Sequence, residues 1–427
     1  MPPSVVSSKV EQQLTQQLSQ QRHPLLTGLS WLKIATLDGS ITPKVVIGKD
    51  GWLFLKQEEP DRNTIEQSLG VHHYSELEIK RWNLIFQQRE YWSEQHNMQY
   101  LLVFAPNKAS LYPEHLKDHY KKAPTSNSID DLKSRLAVDF IDLGAHLKTE
   151  KATGRLFQKT DTHWNDLGAF LAYQHLIQAL PAPFRDTPIT LADCYRQEVE
   201  KPSGDLARLL LVDHHQTETN LQISLKDTSA IFQPERSQPI AANLTPLVFS
   251  NPAVTRPKVF FDHDSFGKYL VPFLAEHFQE SVFLWAWRGF HTDLIKKEKP
   301  ALIVNQFVER ALVGELPRND WEVIQQYWEA HFDRLSQAHL TATLSLTEMI
   351  PWAQKHSRKQ DQLAIAKIQI QPSALDKLIV DYANDRGYYW LPVEGQTYYL
   401  ELVANGAQHL QAEQAEELKG SIEVRYY

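Results

Sequence analysis

Apolar positions in the middle of this chain fall into two textures that take turns. Five short, nearly unbroken apolar runs come first to notice: YLLVFAP (100–106), AVDFIDLG (137–144), KVFFDHDS (258–265), SVFLWAW (281–287) and PALIVNQF (300–307). Runs of this length predict strands buried on both faces. Between several of them the apolar residues space out. After His163, Leu167, Phe170, Leu171, Ile177 and Leu180 return at helical intervals until Pro181 stops the pattern. After Ser265, Leu270, Phe273, Leu274, His277 and Phe278 do the same, and Pro272 is acceptable in a first helical turn. Buried strands alternating with helices predict an α/β domain with a mostly parallel central sheet flanked by helices.

The flanks read differently. Residues 1–40 form a polar leader, with QQLTQQLSQQ at helical spacing. Next, ITPKVVIGKDGWLFLKQ predicts a hairpin turning at Lys49-Asp50-Gly51. Residues 74–98 predict a helix rich in Trp, Tyr and Phe. Residues 205–257 are polar and read as an irregular insertion within a domain spanning 41–335. From 336 to 427 the texture changes to a small β-rich unit: TYYLELVA (397–404) and SIEVRYY (421–427) alternate with period two. There is no internal repeat.

Composition narrows the function classes. A chain of 427 residues has room for two domains and a sizeable core. Its formal charge of −8 argues against nucleic acid, which wants a basic face. The lone cysteine, Cys194, excludes an internal disulfide and any multi-cysteine metal site. No apolar run reaches the length of a membrane span, and MPPSVVSSKVEQQL lacks the apolar core of a signal peptide. The chain is therefore expected either to be cytosolic or to have lost a targeting segment. The 11 Trp and 16 Tyr are enough to line a sugar-stacking surface as well as a core.

Two polar clusters carry candidate chemistry. In KTDTHWNDLGAF (159–170), Asp161 and His163 are two apart, so an extended backbone points both side chains the same way. In KVFFDHDSFGKYLVPFLAEHF (258–278), Ser265 sits where a strand ends and a helix follows, the place where open α/β sheets gather ligands. A serine hydroxyl is a weak nucleophile until a base takes its proton. His163 could be that base and Asp161 could fix its tautomer. Two plainer readings stay open: Ser265 as a turn residue or helix cap, and a metal site built from Asp161, His163, Asp262, His263 and Asp264. The spacings of the latter match no tight metal motif.

These two stretches also resemble the paired signatures of the SGNH-hydrolase-like alginate O-acetyltransferases. VVIGKDGWLFL, VFAPNKASLYPEHL, SGDLARLL and PALIVNQFVERAL fit that family's usual order, so the resemblance covers roughly residues 45 to 312. It implies an SGNH-like fold and a Ser–His–Asp triad in permuted order, with Ser265 as nucleophile, His163 as base and Asp161 as orienting acid. One departure is His263, where the family often has Gly before Asp-Ser-Phe. That change either alters the turn or adds a second imidazole. The Ser265 amide is one expected oxyanion donor, with Asn107, Arg288 and Asn305 near strand ends as candidates for the second. Trp164 is a candidate wall of the acyl pocket and Lys108 a candidate substrate contact, while Glu309 and Arg310 read as an ion pair or helix start.

The resemblance implies a glycan O-acetyltransferase using no cofactor. Its acceptor is an exopolysaccharide, its acetyl supplier a membrane-bound O-acyltransferase, and its place outside the cytoplasmic membrane. A carbohydrate acetyl-esterase with the same triad and a non-catalytic glycan-binding assembly protein are the alternatives, and the resemblance allows the β-rich unit 336–427 to bind polysaccharide.

Overall fold

The computed structural model of the chain describes residues 40–57, 63–120, 128–212, 217–286, 289–312, 319–345, 364–370, 378–382, 388–391, 397–402, 408–411 and 419–426. Residues 1–39 of the polar leader and Arg288 lie outside them.

The hairpin forms as the turn residues require. Strands β1 (Val45–Ile47) and β2 (Leu53–Leu55) pair antiparallel. Asp50 (φ 53°) and Gly51 (φ 78°) sit between them in the left-handed region. Strand β3 (Gln99–Ala105) follows the helix Glu76–Gln95. A capping box fixes the start of that helix: the Ser75 hydroxyl accepts from the Glu78 amide, and Glu78 reaches back to the Ser75 amide. Short β4 (Phe140–Asp142) comes next, then β5 (Cys194–Pro202) and β6 (Thr217–Leu225), which pair as an antiparallel ribbon.

The central sheet also takes β7 (Ile231–Phe232), β8 (Leu247–Ser250), β9 (Val259–His263), β10 (Glu280–Leu284) and β11 (Leu302–Val308). Its order is β4-β3-β11-β9-β10-β8-β7. The first five strands run parallel, and β8 and β7 close one edge antiparallel. Each of the five apolar runs thus became a parallel strand, and β9, in the middle, is buried at every position. Phe261 and Val304 belong to the main core, while Phe260, Val282 and Ile303 belong to a smaller one with Trp92.

Two expectations needed correction. The stretch after Ser265 is not one helix. It is the 3-10 turn Gly267–Tyr269, the short helix Val271–Leu274 and a second 3-10 turn, Ala275–His277. Pro272 has no N–H to give, which breaks the ladder where the turns change. The segment 205–257 is also more regular than its polarity suggests. TETNLQISL forms β6, which buries Glu218 and Asn220 on one face and Ile223 on the other.

Toward the C-terminus, helix Trp321–His331 leads into antiparallel strands in two groups. β12 (Ser336–Ser345), β13 (Ala364–Ile370), β16 (Thr397–Leu402) and β18 (Lys419–Tyr426) form one sheet. β14 (Leu378–Tyr382), β15 (Tyr388–Leu391) and β17 (Gln408–Gln411) form the other. Trp328 and Phe332 pack with Leu84 of the long helix and Ile365 and Tyr399 of the sheet. Among the described residues no helix is long and apolar enough to cross a membrane.

Candidate active site

Ser265 sits two residues past the end of β9, at the carboxyl ends of the parallel strands. Asp264 makes the turn. Its carboxylate accepts from the Phe266 amide at 2.8 Å and from the Val308 amide, at the end of β11, at 2.6 Å. Both bonds draw the chain back over the sheet and leave Ser265 half-exposed at the apex. Burial pushes the Asp264 carboxyl up, and the nearby Arg310 guanidinium works the other way.

The opposing residues come from the loop before helix Asp166–Ala179. Asn165 caps that helix, its side chain accepting from the Gly168 amide at 3.0 Å. The Gln158 amide donates to the His163 carbonyl and the Asn165 amide to the Leu156 carbonyl, so the chain doubles back and projects His163 outward. The imidazole spans the gap: Nδ1 lies 2.7 Å from Asp161 Oδ1, and Nε2 lies 2.8 Å from Ser265 Oγ. Hydrogen bonds at both ring nitrogens allow one arrangement of a neutral ring, with Nδ1–H donating to Asp161 and Nε2 accepting from the serine. The His163 ring also rests 4.9 Å from Phe266 and 5.7 Å from Tyr269, centroid to centroid.

Asp161 is held from three sides. The His163 amide donates to Oδ1 at 2.9 Å, and the Asp205 amide donates to Oδ2 at 3.0 Å. Burial works against its charge, but the imidazole bond and these two amides outweigh it and hold the carboxyl well below the usual carboxylate range. Gly204 makes the close approach possible, since a Cβ there would overlap Asp161. Asp205 in turn accepts from the Thr162 amide at 2.7 Å and the Thr162 hydroxyl at 2.5 Å, bracing the residue between Asp161 and His163.

The sequence named Asp161, His163 and Ser265, and they meet. It did not name Asp205 or Gly204 as site residues, although both lie in the quoted SGDLARLL; a Gly-Asp pair opening a short helix was the available signal. Asp161, His163 and Asp205 place ligand-type atoms within 4.8 Å of one another. The five-residue metal set does not assemble. Asp264 is spent on backbone amides, Asp262 faces Asn305, and the His263 ring donates from Nδ1 to the Asp264 carbonyl at 2.7 Å.

The remaining candidates are placed away from the reacting atoms. His263 is buried, pushed down to about 4 by burial, and packs over Gly267. Asn305 lies inside the sheet, its Oδ1 accepting from Tyr100 at 2.9 Å and from Arg89. Asn107 is buried; its amide donates to Glu309 Oε2 at 3.0 Å and its side chain to Gln67. Glu309 opens the turn Glu309–Leu312. Trp164 is completely buried, edge-on to Phe266 at 5.0 Å, so it supports the Ser265 turn from beneath instead of lining an open pocket. Lys108 is buried too. Its ammonium donates to the Leu53 carbonyl at 2.6 Å and the Lys159 carbonyl at 2.9 Å, tying the N-terminal hairpin to the Asp161 loop. Burial pulls it down to about 7. The Ser265 amide has no hydrogen-bond partner among the described residues.

A Ser–His–Asp relay at a strand end can carry out acyl transfer through a covalent ester. Comparison with known proteins identifies relatives and a family. The alginate O-acetylase AlgJ of Pseudomonas aeruginosa, a probable assignment for that protein, is 32% identical over 151 residues, 34% of this chain and 34% of the relative. The corresponding protein of Pseudomonas putida is 36% identical over 145 residues, 32% of this chain and 34% of its own. The matches thus span about a third of these curated relatives. Among solved structures, Bacillus cereus PatB1 aligns over 64% of this chain and 98% of its own, at 17% identity and a TM-score of 0.49. The O-acetyltransferase domain of Pseudomonas putida AlgJ aligns over 69% and 99%, at 21% identity and a TM-score of 0.42. The family model described as the SGNH hydrolase-like domain of the acetyltransferase AlgX matches residues 45–292, more than half of the chain, and the protein belongs to that family.

Proposed function

We propose that this protein is a polysaccharide O-acetyltransferase that carries the acetyl group on Ser265 and passes it to a sugar hydroxyl of an exopolysaccharide. The observation that carries the proposal is the continuous hydrogen-bonded line Asp161–His163–Ser265, at 2.7 and 2.8 Å, within a chain of the AlgX acetyltransferase family. In the first half-reaction Ser265 Oγ attacks the carbonyl carbon of the donor ester while its proton moves to His163 Nε2. The tetrahedral intermediate collapses, the donor alkoxide leaves with that proton, and acetyl-Ser265 remains. In the second, a sugar hydroxyl attacks the acetyl carbon and gives its proton to His163 Nε2. Collapse returns the proton to Ser265 Oγ and releases the acetylated glycan. Asp161 stabilises the imidazolium in both halves without taking the proton. The free Ser265 amide is one donor for the oxyanion.

An acceptor outside the cytoplasm and a membrane-bound O-acyltransferase as acetyl supplier belong to the same proposal. The half-exposed Ser265 also admits water, which would make the protein an acetyl-esterase. The test is acetyl transfer from p-nitrophenyl acetate to oligosaccharides, followed by mass spectrometry. Acetylated glycan that disappears with Ser265→Ala supports the transferase. Ser265-dependent release of acetate alone, whatever acceptor is offered, replaces it with the esterase.

A further inference from the structure

We propose that Glu218 is a positioning residue of the acyl-transfer site, holding the backbone just ahead of Asp161 so that this carboxylate meets His163. The inference rests on the acyl-transfer reading and deepens it, because it gives the ribbon of β5 and β6 a part in the reaction.

The strand pattern brings Glu218 to the loop. In β6, Glu218 and Asn220 are two apart and share a buried face. Glu218 is 8% exposed, and its Oε2 accepts from the Lys159 amide at 2.8 Å and from the Thr160 amide at 3.3 Å. Its Oε1 accepts from the Asn220 side chain at 3.0 Å. Arg155 Nη1 lies 3.5 Å from Oε2 and offsets the buried charge.

The carbonyls of the same two residues are held from elsewhere. The Lys159 carbonyl accepts from the Leu53 amide and the Lys108 ammonium, both at 2.9 Å. The Thr160 carbonyl accepts from the Leu206 and Ala207 amides, at 3.1 and 3.2 Å. The N-terminal hairpin and the helix Asp205–Leu209 thus grip the carbonyls, and Glu218 grips the amides. Asp161 is the next residue in the chain. The far end of the loop is tied to the same face of β6. The Asn165 side chain donates to the Arg155 carbonyl at 2.6 Å, and Arg155 Nη2 donates to Asn220 Oδ1 at 2.9 Å.

A carboxylate suits this place, since it only accepts and one oxygen can serve two converging amides. A buried amide without an acceptor is costly, so without Glu218 the two peptides must turn to find one. That turn passes straight to Asp161, and a misplacement of about 1 Å at a reacting group costs about 10²-fold.

Hydrolysis of p-nitrophenyl acetate by the full chain tests the inference, with thermal unfolding giving the folded fraction of each variant. Glu218→Ala should lower kcat per folded molecule by about 10-fold to 100-fold and leave KM within about twofold, because the relay moves and no substrate contact is lost. Glu218→Gln keeps an oxygen for the two amides and should stay within about threefold of the parent. Glu218→Asp is one methylene shorter and should fall between; it reads the same effect if the alanine variant does not fold. In an Asp161→Ala background, Glu218→Ala should cost less than about threefold more, since both act through one carboxylate. A merely structural part would leave kcat per folded molecule unchanged throughout. Folded Glu218→Ala at the parent's kcat overturns the inference, as does Glu218→Asp at that level where the alanine variant does not fold. A glutamine variant as impaired as the alanine one overturns it too, and so does a full, additive loss in the Asp161→Ala background. Ser265→Ala, assayed alongside, separates the two claims. Loss of hydrolysis there with unimpaired Glu218 variants removes the positioning role and keeps the relay, whereas hydrolysis retained in Ser265→Ala removes both.

Discussion

Replacing Gly204 by Ala should disable the site through a single methyl group. Gly204 has φ −80° and ψ −164°, which alanine adopts without strain, so the substitution acts by contact alone. A Cβ at this position would meet Asp161 Oδ2 at 2.5 Å and Asp161 Cα at 2.6 Å. Ordinary carbon contacts begin near ~3.5 Å, so the two segments must part by about 1 Å. The Asp161–His163 bond, now 2.7 Å, would then exceed about 3.5 Å and cease to be one. A misplacement of that size costs about 10²-fold, and complete loss of the orienting carboxylate about 10⁴-fold. The expected fall in kcat/KM lies between these, with a stability loss of about 1–3 kcal/mol from overpacking. Hydrolysis of p-nitrophenyl acetate reads the first and thermal unfolding the second. Because both changes act through one carboxylate, adding Gly204→Ala to Asp161→Ala should cost little further activity. A folded Gly204→Ala protein within about twofold of the parent would refute the claim that this close approach positions the relay.

Other predictions follow from neighbouring contacts. Asp205→Ala removes both bonds to Thr162, and ester hydrolysis should drop by about 10-fold to 100-fold, less than for Asp161→Ala; equal losses would give Asp205 a larger part. Lys108→Met strips two buried carbonyls of their donor and should lower stability by about 2–4 kcal/mol in denaturant titrations, whereas a substrate contact would raise KM with stability intact. Glu309 is pushed up to about 7 by burial, so the folded chain holds a proton there that the unfolded chain gives up near pH 4.5. The folded state binds more protons over that window, and the Glu309 contribution to stability falls as pH rises from about 4.5 to 7. Glu309→Gln should accordingly gain stability relative to the parent between pH 5 and 8. A constant difference between the two across that range would contradict the burial argument.

Much of this architecture was readable because burial writes itself into runs and periods. The apolar run 258–265 became β9 and 281–287 became β10, each within three residues at either end. Asp161 and His163 were readable as a pair because two-residue spacing fixes relative direction in an extended loop. What spacing does not carry is direction across the fold. Both Asn305 and Asn107 were expected near strand ends, yet Asn305 is the middle residue of β11 and turns toward Tyr100, while Asn107, two residues past β3, turns toward Glu309. Lys108 read as a candidate substrate contact because its carbonyl partners, Leu53 and Lys159, are more than 50 residues away on either side. Asp205 was hidden for the same reason: its contact with Thr162 joins positions 43 apart. The helix expected after Ser265 failed locally, because a periodic apolar face outvoted the glycine and proline that break it into turns.

The most direct test of the central claim is capture of the acyl-enzyme. The protein would be mixed briefly with p-nitrophenyl acetate, quenched in acid, digested and examined by peptide mass spectrometry, alongside Ser265→Ala and His163→Ala. The account predicts one acetyl group on the peptide containing Ser265, absent from Ser265→Ala and strongly reduced in His163→Ala. Acetylation that persists in Ser265→Ala at the parent's rate, or turnover of the ester by that variant, would contradict it.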